Sequence, residues 1–365
     1  MASFTVADLD KDWPLQGLES VLACPYCGAA GKTLAYRDVR DWSFGCAAGR
    51  WSYWDCDACS ALYLDPRPTP AALGNAYGSY YTHGDAAKTH LFAALKHRLK
   101  NEYLSAIFAR RINPGLGLPG WAAPFVKRLR PWVAEPFGMR QLAELPGGLL
   151  IDVGCGNGNM LKLARQSGWQ TLGIELDAAA VAVARAQGLD VIQGGYEELA
   201  RYEGKAGCII CSHVLEHVHH PLQLLKMLLA SLAPGGVLLL SAPNAASYIR
   251  DHYAENWRGL EAPRHLAIPD AGWLKAWLGE HGMACTQVPS HDKVMMIESE
   301  RIKRRGSKTV PADVKAARTL ALMKKSVTLQ TQDIVQIVCS SSTSGMADLI
   351  RAIESSLEAL STTIR

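Results

Sequence analysis

The stretch Leu149-Leu150-Ile151-Asp152-Val153-Gly154-Cys155-Gly156-Asn157-Gly158-Asn159-Met160-Leu161 constrains this chain more than any other. Leu149 to Val153 is a short apolar run, as expected for a parallel strand covered on both faces. Gly154, Gly156 and Gly158 then alternate through a turn. Glycine admits positive φ and lets a ligand approach the main chain closely. A helix starting near Gly158 points its free N–H groups back at that turn. A dinucleotide fingerprint needs G-x-G-x-x-G, but the position it requires holds Asn159 counted from Gly154 and Leu161 counted from Gly156. Asp152, two places before the first glycine, repels a pyrophosphate and attracts a cationic ligand.

Strands and helices alternate beyond this turn, which implies a parallel sheet wound by right-handed crossovers. The expected order is a helix near 158–167 closed by Gly168, a strand at Thr171 to Glu175, a helix at 178–187 closed by Gly188, and a strand at 189–193. Glu175 ends the second strand about 20 residues past the glycines, where a carboxylate can accept both hydroxyls of a ribose. Leu176 follows it, and Gln193-Gly194-Gly195-Tyr196-Glu197 follows the third strand. The fourth strand, Gly207 to Cys211, runs into Ser212-His213-Val214-Leu215-Glu216-His217. Pro221 then opens an apolar helix, Pro234-Gly235-Gly236 makes a turn, and a fifth strand at Val237 to Ser241 ends in Ala242-Pro243-Asn244.

This ordered set resembles the class I S-adenosylmethionine (SAM) methyltransferases over roughly residues 148 to 290. The resemblance implies a Rossmann-like α/β fold. Its seven-stranded, mostly parallel sheet carries helices on both faces, and the last two strands fall at Ala284 to Val288 and Asp333 to Cys339. It also implies SAM as cofactor, held by Asp152, Gly154, Cys155, Gly156, Gly158, Glu175, Leu176, Tyr196, Glu197, Cys211, Ser212 and His213. The family often has an acid where this chain has Gly195, so Tyr196 and Glu197 stand in as adenine contacts.

Methyl transfer from a sulfonium is an in-line displacement with a neutral leaving group. Positioning is therefore the main task, with removal of a proton when the acceptor is a hydroxyl. Histidine is the side chain best suited to that near neutral pH. His213, Glu216 and His217 are spaced to share one face of a helical turn, and Arg264-His265-Leu266 comes after the fifth strand, able to fold back toward them. Three readings stay open. His217 is a general base oriented by Glu216; or His213, Glu216, His217 and His265 hold a second divalent metal; or His217 is a buried structural residue. The metal pattern is similar to that of the small-RNA terminal 2′-O-methyltransferases, except that His213 replaces an acid.

Two C-x-x-C pairs precede the α/β part, Cys24-Pro25-Tyr26-Cys27 and Cys56-Asp57-Ala58-Cys59. Four thiolates on two turns are the tetrahedral set that structural zinc prefers. Zinc ligation by Cys24, Cys27, Cys56 and Cys59 would staple a small ribbon-like module that lacks a core of its own. Candidate strands between the pairs are Tyr36 to Trp42 and Arg50 to Trp54, and Cys46 is an extra cysteine, structural or incidental.

The expected organisation is a zinc module at 1–65, a linker and helical substrate or lid region at 66–147, and the SAM-binding domain at 148–340 with an insertion at 290–330. A tail helix then lies within 341–365. Tyr77, Tyr80 and Tyr81 line a pocket or a core edge. The basic helix-like stretch His90 to Arg111 meets an anionic surface or simply solvent. The aromatic-rich Ser247 to Pro269, with Tyr248, Tyr253 and Trp257, reads as a substrate lid or as core cover. The insertion brings Arg301, Lys303, Arg304, Arg305 and Lys308 toward an anionic substrate or leaves them solvated. The tail helix, Ala347 to Leu360, can pack on a second copy, so a homo-oligomer stays open.

A net charge of +4 is too mild to argue for nucleic acid. No run is long and apolar enough to span a membrane. With no secretion signal visible, ten cysteines suggest metal ligands or reduced thiols rather than disulfides, and a cytoplasmic setting. The arrangement resembles bacterial enzymes that methylate sugars or other small hydroxylated metabolites. O-methylation of a saccharide or small-molecule acceptor is the leading expectation. An RNA-modifying methyltransferase and a non-catalytic SAM-binding protein are the alternatives.

Overall fold

The computed structural model describes residues 9, 11–77, 91–108, 110–127, 142, 145, 147–288, 293–304 and 332–341. The chain forms two compact units. The first comprises Met1–Tyr80, Ser212–Lys226 and Leu240–Val338, and the second Tyr81–Cys211, Met227–Leu239 and Cys339–Arg365. Tyr80, Tyr81, Arg305, Lys308 and the tail helix expected at Ala347 to Leu360 lie outside the described residues.

The first unit begins with β1 (Leu18–Glu19), β2 (Lys32–Val39), β3 (Trp51–Cys56), β4 (Leu62–Leu64) and β5 (Arg67–Pro68). β2 and β3 form the antiparallel pair expected between the cysteine turns, with Lys32 opposite Cys56 and Val39 opposite Trp51. β1 pairs with β5.

The second unit carries β6 (Leu149–Val153), β7 (Gln170–Glu175), β8 (Val191–Gln193), most of β9 (Ala206–Ser212) and the start of β10 (Leu232–Pro243). β6 runs parallel to both β7 and β9, with Asp152 aligned to Gly173 on one side and Ile210 on the other. Leu150, Ile151, Ile174, Cys208 and Ile209 are buried along these strands, as continuous apolar runs in a doubly covered sheet should be. The helices Asn159–Gln166 and Ala178–Ala186 are the crossovers between them. Asp177 caps the second, its carboxylate accepting the Ala179 amide at 2.8 Å.

A two-residue strand, β11 (Ala267–Ile268), joins the sheet of the cysteine module, giving the order β11-β4-β3-β2. Ala267 pairs with Tyr63 and Ile268 with Leu62, antiparallel. With β12 (Ala284–Gln287) and β13 (Ile334–Ser340), the larger sheet has seven strands in the order β12-β13-β10-β9-β6-β7-β8. That is the Rossmann-like, mostly parallel arrangement expected from the alternating pattern, with the two last strands exchanged at one edge.

The aromatic stretch Ser247 to Pro269 is core rather than lid. Tyr253, Trp257, Leu260 and Leu266 pack with Trp13, Trp51, Tyr53 and Leu62 in one cluster. Trp257 is 1% exposed, and its indole N–H donates to Asp333 Oδ1 at 2.6 Å. The sequence shows aromatics there but not the β3–β4 face that takes them. The described part of the insertion is a helix, Lys293–Lys303, in which Arg301 pairs with Glu298 at 3.1 Å; the following Arg304 pairs with Glu300 at 2.8 Å. Eight cysteines are free, but Cys285 on β12 and Cys339 on β13 are disulfide-bonded, contrary to the all-reduced expectation. The two strands are neighbours in the sheet, an adjacency that residues so far apart in sequence do not advertise. Among the described residues no helix is long and apolar enough to cross a membrane.

Candidate active site and cysteine centre

In the second unit the glycine turn follows β6 directly. Gly154, Gly156 and Gly158 take φ of 73°, 53° and 79°. A Cβ on Gly158 would lie 2.4 Å from Leu189 Cδ1, whereas one on Gly156 would meet nothing within 4 Å among the described residues. Gly158 therefore serves close packing, and Gly156 leaves open the space beside the main chain. Glu175 faces this turn: Gly156 N–H donates to its Oε2 at 2.8 Å and Asp177 N–H to its Oε1 at 2.9 Å. Each oxygen keeps a further lone pair for a hydroxyl. Asp152 is 5% exposed beneath the turn. Burial, then the charge of Glu175, pushes its carboxyl up to about 7. Cys155 is buried with its Sγ against Gly173, where a Cβ would come within 2.5 Å of it. Leu176 is 73% exposed beyond Glu175. Tyr196 and Glu197 begin a 3-10 turn after β8, and Cys211 is buried near the end of β9.

The histidines belong to the first unit. Ser212 ends β9, and His213 turns the chain at φ 56°, its amide donating to Ser241 O at 2.8 Å. Leu215–His217 is a single 3-10 turn. Glu216 is fully buried, and its Oε1 lies 3.1 Å from His213 Nδ1. Thus Glu216 pairs with His213, not with His217. Loss of water works against it, but the hydrogen bond and charge of Glu216 raise the His213 imidazole above its usual value. Those same contacts hold Glu216 below the usual carboxylate range despite its burial.

His265 folds back as expected. Leu266 N–H donates to Glu216 O at 2.7 Å, and Leu64 N–H donates to Leu266 O at 2.9 Å. The imidazoles of His217 and His265 meet edge to face with centroids 4.6 Å apart. His265 Nδ1 lies 2.6 Å from Gly259 O. A carbonyl only accepts, so Nδ1 carries the hydrogen and Nε2 the lone pair. Burial brings this imidazole down to about 4, against the pull of Glu261. Its Nε2 lies 3.5 Å from Glu261 Oε2 and 4.0 Å from Glu216 Oε1. Glu216 Oε2 is buried without a hydrogen-bond partner among the described residues. One ligand atom from each of Glu216, His217 and His265 falls within a span of 4.8 Å.

His217 Nδ1 lies 3.1 Å from Arg264 O and 3.2 Å from the Tyr77 hydroxyl. By the same reasoning Nδ1 carries the hydrogen and Nε2 keeps a lone pair. Tyr77, one of the tyrosines expected to line a pocket or a core edge, joins this cluster from a segment distant along the chain. Glu261, four residues before His265, stands in no motif and is the member that sequence reasoning did not single out.

The four module cysteines converge as their spacing suggested. Cys24 Sγ is 3.5 Å from Cys59 Sγ, Cys27 Sγ is 3.5 Å from Cys56 Sγ, and all four sulfurs lie within 4.8 Å of one another. The two turns are copies. Gly28 N–H donates to Cys24 O and Ser60 N–H to Cys56 O, while Cys24 and Cys56 N–H donate to Ala29 O and Ala61 O. Donation from Cys59 pulls the Cys24 thiol down to about 5, and that donation with burial holds Cys59 up. Cys46 is apart from this group, buried against Asp41 and Arg264.

Residues 126–288 match a family model described as a methyltransferase domain. A ubiquinone biosynthesis O-methyltransferase of Xanthomonas campestris pv. campestris is 36% identical over 107 residues, covering 27% of this chain and 45% of the relative. One of the same name from Acinetobacter baumannii is 31% identical over 122 residues, covering 30% of this chain and 52% of the relative. The chain thus spans about half the length of the curated relatives it matches. A solved SAM-dependent methyltransferase from Archaeoglobus fulgidus superposes with a TM-score of 0.40 and 17% identity, over 59% of this chain and 91% of that one. The family match and the strand order of the seven-stranded sheet thus agree on a methyltransferase-like domain.

Proposed function

We propose that this chain moves the methyl group of SAM to a hydroxyl oxygen of a small acceptor, with His217 as general base. The observation that carries this is the state of His217: its Nδ1 hydrogen is committed to Arg264 O, so Nε2 offers a lone pair. When bound, SAM supplies a methyl group on a positive sulfur that leaves as a neutral thioether. The glycine turn, Asp152 and Glu175 are the donor-binding residues of this proposal. Gly156 leaves room at the main chain, Asp152 places negative charge beneath it, and Glu175 offers lone pairs to the ribose hydroxyls. In this reading His217 Nε2 would take the proton of the acceptor hydroxyl, whose oxygen would receive the methyl group. The relatives' name supports oxygen as the methylated atom, and we keep a saccharide or another small hydroxylated metabolite, in the cytoplasm, as the acceptor class. Cys24, Cys27, Cys56 and Cys59 hold a structural zinc, whose closed ligand set leaves no open position for catalysis. The test is His217→Ala, measured by labelled-methyl transfer from SAM into fractionated host extract. Turnover should fall about 100-fold or more with SAM affinity unchanged, and full turnover would remove the base from this reading.

A second reading is favoured by the unpartnered Glu216 Oε2 and by a His265 lone pair turned toward two carboxylates. Carboxylate oxygens and an imidazole nitrogen are donors suited to a divalent cation. Glu216, His217 and His265 would hold it, with Glu261 and His213 beside them, and it would polarise the acceptor oxygen. Titration of the intact protein with Mg²⁺ or Mn²⁺ by calorimetry separates the two readings. No heat, together with turnover that survives chelation, leaves His217 as the base.

A further inference from the structure

Arg264 has no contact with solvent, and neither does its partner Asp41. The pair is bidentate: Arg264 Nη2 donates to Asp41 Oδ1 at 2.5 Å and Nη1 to Oδ2 at 3.0 Å. Asp41 also accepts the main-chain N–H groups of Phe44, Cys46 and Ala47. It thereby ties down the loop between β2 and β3, inside the cysteine module. The guanidinium reaches further, with Nη1 donating to Ala76 O at 2.9 Å and Nε to Glu261 Oε1 at 3.2 Å. Burying an ion pair stabilises a fold little, because desolvation offsets the attraction. A pair this deep and this fully bonded is better explained by what it holds in place.

It holds both partners of one imidazole nitrogen. The main-chain oxygen of Arg264 itself takes the Nδ1 hydrogen of His217. The carbonyl its guanidinium grips belongs to Ala76, and the next residue, Tyr77, brings its hydroxyl within 3.2 Å of that nitrogen. We propose that the Asp41–Arg264 pair is a positioning device that fixes the ring orientation and tautomer of His217, so that the cysteine module supplies the anion on which the reactive histidine is braced. This rests on His217 acting as the base, but the tautomer can be read without any turnover.

The experiment uses the full chain with ¹⁵N-labelled histidine rings, the His217 signals being assigned by difference from His217→Gln. Wild type should show His217 in the single Nδ1–H form. Asp41→Asn and Arg264→Lys should replace it with a mixture of tautomers, while calorimetric affinity for SAM stays within about twofold of wild type. Turnover in the extract assay should fall roughly 10- to 100-fold in both, through kcat rather than the KM for SAM. Tyr77→Phe keeps the Arg264 carbonyl contact and should keep the tautomer. An Nε2–H form in wild type overturns the proposal outright, even if neither charge variant folds. A single Nδ1–H form that survives both Asp41→Asn and Arg264→Lys overturns it too. Full turnover in His217→Ala would instead sink the base assignment and leave the tautomer result standing.

Discussion

Glu175 accepts the main-chain N–H of Gly156 at 2.8 Å, so the acid ending β7 braces the turn that begins where β6 stops. In the proposed function this one side chain has two tasks, holding the turn and meeting the ribose. Glu175→Gln keeps the shape but not the charge, and should weaken SAM binding about tenfold, read by calorimetry. Glu175→Ala also frees Gly156 and should weaken it by about 100-fold, each tenfold step being about 1.4 kcal/mol. Equal affinity in both variants and wild type would remove Glu175 from the donor site.

The Asp152 carboxyl, pushed up to about 7 by burial and by Glu175, should make donor binding depend on pH. Between about 4, the ordinary aspartate value, and 7, the folded protein keeps this proton and the unfolded chain does not. The folded state binds more protons, so this group's contribution to stability falls as pH rises through that window. A cationic donor favours the carboxylate, so binding releases a proton and affinity rises toward pH 7. Calorimetry from pH 5.5 to 8 in buffers of different ionisation heat should show the released proton, and Asp152→Asn should abolish it.

Two glycines of one turn should respond differently to the same methyl group. Gly158→Ala combines a φ of 79° with a contact at 2.4 Å, and should cost roughly 2–4 kcal/mol in urea unfolding. Gly156→Ala meets no neighbour, and should cost only about 1 kcal/mol for its backbone angle. Its larger effect should be on SAM affinity, since the methyl fills space a ligand needs.

Metal analysis of the intact protein should find one zinc per chain. Replacing Cys56 and Cys59 together by serine should remove it and lower stability by at least about 5 kcal/mol, as expected where a structural zinc is coupled to folding. A folded, zinc-free preparation with wild-type stability would contradict the assignment.

Much of the second unit is legible in the sequence because its signals are local. Leu149 to Val153 is an apolar run, Gly168 and Gly188 close their helices, and Glu175 stands at a fixed distance from the glycines. The cysteine cluster is legible for the same reason, through the spacing within each pair. What stayed hidden depends on distant partners. Nothing near Arg264 indicates that it is buried against Asp41, 223 residues away in the chain. The pattern 213, 216, 217 suggested that Glu216 orients His217, but the positive φ of His213 breaks the helical turn and swings that imidazole onto Glu216. Trp257 and Tyr253 have the composition of a lid, and only the tertiary cluster reveals them as core.

β11 is two residues long, yet it decides how this chain can be cut. Its partners, Leu62 and Tyr63, come from the segment that also carries two of the four cysteines. Deleting the first 65 residues to obtain a smaller protein would strip the backbone partner from the strand that follows His265. It would also take Asp41 from Arg264. Such a truncation should keep its glycine turn but lose the bracing of its histidines, so the amino-terminal module has to travel with the domain whenever the protein is shortened, fused or grafted.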